Sequence, residues 1–322
     1  MVLASMRSPR AGFYVVQDVC EIPGPLNEDL LQQSWRRVSR RHPALRCGVE
    51  TGAGGEPRLH INDDPEIHWQ HLDWSACQEN EHDTRLAEFL RCDWTQGFAF
   101  DEGVPMRFTL VRTAEERHLL IWTSHHVLLD GRSFLVVWRE WFAIYEALLH
   151  GEEVPATEPG HHDETWQPER YDGATAERYW RKRLAGVTQT TGYVVDRIRA
   201  ASPDAQEGST KQSRSLTDEQ TRRLREFAEA HSITLNTLIQ GAWALLLSRY
   251  SGRSEVVFGV TRTGRPKELE GAEDWVGVFV KTLPVRIEIS TKEPLVLWLQ
   301  QIRSQWMDCL LYTSDAADEC SV

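Results

Sequence analysis

The stretch His125-His126-Val127-Leu128-Leu129-Asp130-Gly131 stands where the hydrophobic pattern of the chain changes its period. Upstream of it, Met106 to Thr113 and His118 to Ser124 are strand-like runs separated by a turn at Ala114 to Arg117, which predicts an antiparallel hairpin. Downstream, Phe134, Leu135, Trp138, Trp141, Phe142, Tyr145 and Leu149 recur at helical spacing, and Gly151 closes the run as a C-terminal cap. A strand therefore ends in a loop, and a helix leaves it. Adjacent histidines on a strand point to opposite faces, so one can face a shared cavity while the other is held inside the lobe. Asp130 and Gly131 suit a tight turn in which glycine lets backbone approach closely and the carboxylate can pair with a cation. One histidine beside a turn is ordinarily structural. Two histidines, an aspartate and a glycine at these offsets arise by chance in well under about one chain in a hundred.

Working outward, Asn27 is a helix cap, and Leu30, Leu31, Trp35 and Val38 follow helical spacing until Pro43, which predicts a helix over 27 to 41. Leu45 to Thr51 and Pro57 to Asn62 flank a glycine cluster and read as a hairpin; no helix follows, so the cluster is not a phosphate loop. A polar helix is expected near Asn80 to Cys92. Residues 151 to 173 have no apolar period and mix proline, glycine, histidine and acids, as an exposed connection does. Beyond it come a helix over Ala174 to Leu184, a helix opened by Thr217 with Gln220 three residues on, and an apolar helix over Thr234 to Arg249. Glu255 to Thr261 and Val276 to Ile289 are rich in β-branched residues and read as strands. The class is α+β, a mixed-sheet α/β sandwich in two lobes, 1 to 160 and 161 to 308.

At 322 residues and 37.0 kDa the chain can bury a large core, and 41% hydrophobic with 26% charged residues is globular composition. Its 36 basic against 48 acidic side chains leave a formal charge of −12, which repels phosphate backbones and anionic lipid, so nucleic acid and membrane are not expected partners. The apolar run Ala242 to Leu247 is far short of the roughly 20 residues a span requires. Six scattered cysteines form no C-x-x-C pair, which speaks against zinc, iron-sulfur and disulfide scaffolds and makes a reducing cytoplasm the expected location. His161-His162-Asp163-Glu164 lacks the spacing of a helical metal site, and there is no G-x-S-x-G or H-E-x-x-H. Trp138 and Trp141 follow the apolar stripe and are expected in the core.

The 125 to 131 stretch resembles the HHxxxDG signature of the chloramphenicol-acetyltransferase-like acyltransferases, and most of all that of the condensation domains of nonribosomal peptide synthetases. Arg41-His42-Pro43-Ala44-Leu45-Arg46 is similar to that family's RHExLR motif, and Val276-Gly277-Val278-Phe279-Val280-Lys281-Thr282-Leu283-Pro284-Val285-Arg286 to its G-x-F-V-N-T-x-x-x-R motif. Gly264-Arg265-Pro266 and Tyr179-Trp180 to Gly186 also look like family landmarks, in the family's order, and the likeness runs from about Phe13 to Gln305. Lys281 stands where the family usually has Asn, and the family's opening motif and the end of its second lobe are not matched, so both ends are expected to be incomplete. Cys309 to Glu319 resembles a translated transposon sequencing adapter, so 309 to 322 is read as a non-native tail.

The resemblance implies two acetyltransferase-like lobes in a V-shaped pseudo-dimer, the second incomplete. It also implies a tunnel in which an acceptor amine attacks a donor aminoacyl or peptidyl thioester. Substrates would arrive on the phosphopantetheine arms of donor and acceptor peptidyl carrier proteins, beside an adenylation domain, with no bound cofactor or metal. His126 would be the base or the group that aligns the amine, His125 structural, Asp130 an organiser paired with Arg286, and the Gly131 N–H a donor to the thioester carbonyl. Arg41 and Arg46 would tie the first helix to the sheet. The same signature serves two other readings: a free-standing acyltransferase that makes wax or glycolipid esters, and an inactive platform on which carrier proteins dock.

Overall fold

A computed structural model describes residues 1–8, 12–52, 56–154, 173–189, 191–192, 213–265, 271–290 and 292–311. The chain forms two compact units, one of 1–164 with 267–279 and one of 165–266 with 280–322. The His161 to Glu164 run and the exposed connection from residue 155 onward lie outside the described residues, as do 312–322 of the expected tail.

In the first unit, α1 (Val2–Arg7) precedes β1 (Val15–Pro23) and α2 (Glu28–Arg41). Asn27 caps α2 by accepting the Leu30 N–H at 3.0 Å. A 3-10 turn over Pro43–Arg46 leads into a hairpin of β2 (Cys47–Thr51) and β3 (Pro57–Ile61). Then follow β4 (His68–Asp73), α3 (Glu79–Gln96), β5 (Met106–Ala114), β6 (Arg117–His125) and α4 (Gly131–Leu149). The helix and hairpin readings stand, and Gly151 closes α4 with φ +69°. Strands β1 and β4 carry no clear signal in the sequence.

The sheet order is β1-β6-β5-β4; β6 runs antiparallel to both neighbours, and β4 runs parallel to β5. The sheet is therefore mixed. Leu120 and Trp122 of β6 face Leu31, Trp35 and Val38 of α2 and Phe134, Val137 and Trp141 of α4, whereas Ile121 faces Leu86, Phe89 and Leu90 of α3. With helices on both faces, the middle strands are apolar on both sides, which explains the unbroken run in β6. Trp35 sits 4.7 Å from both Phe108 and Trp141, so the tryptophans at helical spacing are core. α3 is fastened to the sheet by a buried ion pair: Arg107 Nε donates to Asp93 Oδ1 at 2.6 Å, and Thr123 and Gln17 donate to Oδ2.

The second unit contains α5 (Gly173–Arg183), α6 (Asp218–Ala230), α7 (Leu235–Ser251), β7 (Glu255–Thr263), β8 (Val280–Glu288) and α8 (Leu295–Leu311). Thr217 and Gln220 make the expected capping box. β7 pairs antiparallel with β8, and Val256, Val285, Ile287, Trp298 and Ile302 form its core.

One expectation is corrected. The strand predicted from Val276 begins only at Val280, and 271–279 packs with the first unit, not with the lobe that surrounds it in sequence. Val276 is fully buried among Leu128, Leu129 and Trp141, so its apolar character serves that core and no ladder.

Candidate functional site

β6 is a middle strand, and its last residue is His125, opposite Val15 of β1. His126 begins the following turn, and its N–H donates to Tyr14 O at 2.7 Å. Because the strand stops between them, the two histidines meet different surroundings.

His125 is 1% exposed, with Phe100 edge-on at 5.0 Å. Its Nδ1 accepts the Val127 N–H at 3.1 Å. The ring proton therefore sits on Nε2, 3.0 Å from Ser5 Oγ, and the Ser5 hydroxyl donates to Phe13 O at 2.9 Å. Burial, then the N-terminal ammonium and His126, push the His125 pKa down to about 4, so the ring is neutral at physiological pH. His126 is half-buried: its Nδ1 is enclosed, and its ring has no hydrogen-bond partner among the described residues.

Asp130 is fully buried and caps α4; its Oδ1 accepts from Ser133 N at 2.9 Å and from Ser133 Oγ at 2.8 Å. Its Oδ2 accepts the Phe279 N–H at 3.0 Å, and its own N–H donates to Gly277 O at 3.0 Å. The returning segment is thus bonded directly to the end of the histidine loop. Gly131 is the first residue of α4 and is exposed, and a Cβ built on it would meet nothing within 4 Å, so there is room beside the glycine. The start of a helix is a natural place for developing negative charge.

Arg286 does not take the expected partner. Its Nε and Nη2 donate to Glu255 Oε2 at 2.9 and 2.6 Å, and its Nη1 to the carbonyls of Arg183 and Ala185, which commits the guanidinium within the second unit. Arg46 donates to Ser39 O and Asn62 O, joining the end of α2 to the β2–β3 hairpin. Arg41 lies 3.5 Å from Glu140, which also takes His42 at 2.7 Å, so its tie is to α4 and not to the sheet. Sequence reasoning missed Ser5, Ser133 and the backbone of 277–279. Ser133 had a signal, since it stands three residues after an aspartate at a helix start; the other two meet the loop only through tertiary contact.

The sequence profile described as Condensation domain matches residues 1–314. A linear gramicidin synthase protein of Brevibacillus parabrevis is 34% identical over 314 residues, 97% of this chain and 4% of that protein. Chondramide synthase cmdD of Chondromyces crocatus is 34% identical over 297 residues, 92% of this chain and 7% of that protein. The chain thus spans a small part of these relatives' length. Among solved structures, the complex of the X-domain and OxyB from teicoplanin biosynthesis matches with a TM-score of 0.75 at 26% identity, covering 93% of this chain and 65% of that one. The first condensation domain of the calcium-dependent antibiotic synthetase, in complex with a substrate analogue, matches with 0.71 at 22%, covering 97% and 73%, and shares the mixed α/β fold. Among the described residues no helix is long and apolar enough to cross a membrane.

Proposed function

This chain belongs to the condensation-domain family, and from that premise we propose that it is an acyltransferase that forms an amide bond in nonribosomal peptide synthesis. An acceptor amine attacks the carbonyl of a donor aminoacyl or peptidyl thioester. The C–N bond forms, the tetrahedral intermediate collapses with loss of the C–S bond, and the amine proton ends on the departing thiolate. Donor and acceptor arrive on the phosphopantetheine arms of carrier proteins, with an adenylation domain as neighbour, in the cytoplasm.

The observation that carries this reading is the division of labour between the histidines. His125 has both ring nitrogens engaged and builds the loop, whereas the half-buried His126 ring has no hydrogen-bond partner among the described residues. His126 takes the proton from the amine or aligns it for attack, and either role is worth about 10² to 10⁴ in rate. The Gly131 N–H, at the open start of α4, is the donor for the developing oxyanion. Asp130 holds the loop and the helix start in register and stays out of the chemistry.

The test is product formation from two loaded carrier proteins, followed by mass spectrometry of the released peptide. His126→Ala should lower the amide-forming rate by about 10² to 10⁴ while carrier binding is retained. A variant as fast as the unaltered chain would overturn the reading. Carriers that bind without any amide forming would leave a docking platform, and product with alcohols in place of amines would point to the ester-forming class.

A further inference from the structure

Ser133 stands three residues beyond Asp130, where the histidine loop ends, and lies outside the seven-residue stretch 125 to 131. We propose that Ser133 is a positioning residue: it seats the returning segment 276–279 against the start of α4, and through that seat sets the loop that carries His126. The proposal rests on the condensation reading above and extends it to a residue that the signature does not include.

Ser133 is fully buried, and its Oγ lies at the centre of the junction. It is 2.8 Å from Gly277 O and 2.8 Å from Asp130 Oδ1, and it accepts the Gly277 N–H at 3.0 Å. Both backbone polar groups of Gly277 therefore lie within hydrogen-bond distance of one hydroxyl, whose single proton is shared between Gly277 O and Asp130 Oδ1. Gly277 O also receives the Asp130 N–H, and Asp130 Oδ2 receives the Phe279 N–H. Residues almost 150 positions apart in sequence thus fix each other's backbone, with Val276 driven into the apolar core beside them. Asp130 is at once the last residue of the His126 loop and the cap of α4. A shift of that peptide by about 1 Å would move both the imidazole and the first helix N–H groups relative to a reacting carbonyl, and displacements of that size cost about a hundredfold in rate. A serine that only filled the core would not single out turnover.

The experiment compares the full chain with Ser133→Ala and Ser133→Thr. Removal of the hydroxyl should speed amide hydrogen exchange at Gly277 and Phe279 about tenfold, since those donors lose or loosen their acceptors. In the carrier assay kcat should fall roughly ten- to a hundredfold, with KM for each carrier changed by less than about twofold. Threonine, which keeps the hydroxyl, should restore kcat to within about threefold. Should the alanine variant fail to fold, Ser133→Cys gives the same directions with smaller changes, because a thiol is a weaker partner at nearly the same volume. Unchanged exchange at Gly277 would overturn the seat. Faster exchange with unchanged kcat, or a rise in KM in place of a fall in kcat, would overturn the positioning role. If the unaltered chain forms no amide, it is the condensation reading that fails, and the exchange measurement still decides the seat.

Discussion

His125 and His126 are neighbours of one residue type, and the structure makes them unlike by burying one and leaving the other half open. A neutral His125 is required by its acceptor role toward Val127, and its depressed pKa has a consequence for stability. Between pH 4 and 6.5 the unfolded chain binds a proton at this histidine and the folded chain does not. Stability from His125 is therefore complete above about 6.5 and is lost as the pH falls toward 4, a swing of about 3 kcal/mol. His125→Asn keeps an acceptor near the Nδ1 position and cannot titrate. Urea unfolding at about pH 7.5, 5.5 and 4.5 should show a steep loss in the unaltered chain that the variant largely lacks; equal slopes would remove His125 as the cause. Both histidines were legible in the sequence as a pair, and alternation on a strand predicted that only one would face outward. What alternation could not supply was the partner set of the inward ring, because Ser5, itself held by Phe13, reaches it from 120 positions away.

At the scale of elements, helices were the more readable, since α2, α4 and α6 carry their caps and stripes locally. β1 and β4 were not, and each for a reason of position. β4 is an edge strand whose His68, Gln70 and His71 dilute the apolar signal, and β1 has both faces partly covered, so neither alternates cleanly. The attachment of α3 was equally hidden, because its polar sequence gives no hint that Asp93 is buried against Arg107. Arg107→Met should destabilise the first unit by about 3 to 5 kcal/mol in chemical denaturation, since it leaves a buried carboxylate without its cation. Adding Asp93→Leu should recover part of that loss, through the non-additivity of coupled sites. A double variant no better than the sum of the two single ones would show that the pair is not coupled.

The whole molecule departs from the order of its chain at 271–279, which lies between β7 and β8 in sequence but belongs to the first unit. Val276→Ala should therefore destabilise the first unit by about 2 kcal/mol, speeding native-state hydrogen exchange in β6 and α4 roughly thirtyfold while leaving α7 and β7 near their original rates. Acceleration confined to α7 and β7 would refute the assignment. The sequence alone determined the class of fold, the hairpin and helix on either side of the histidine loop, and the family to which 125 to 131 points. These are local matters: hydrophobic period, caps and turn residues act over a few positions, so they can be read in chain order. Tertiary structure alone decided that Asp130 receives the Phe279 N–H of a returning segment, that Arg286 is held by Glu255, and that Val276 fills the core under the loop. Those choices depend on which distant groups arrive beside one another, and a buried carboxylate or guanidinium takes whichever partner the packing brings within about 3 Å.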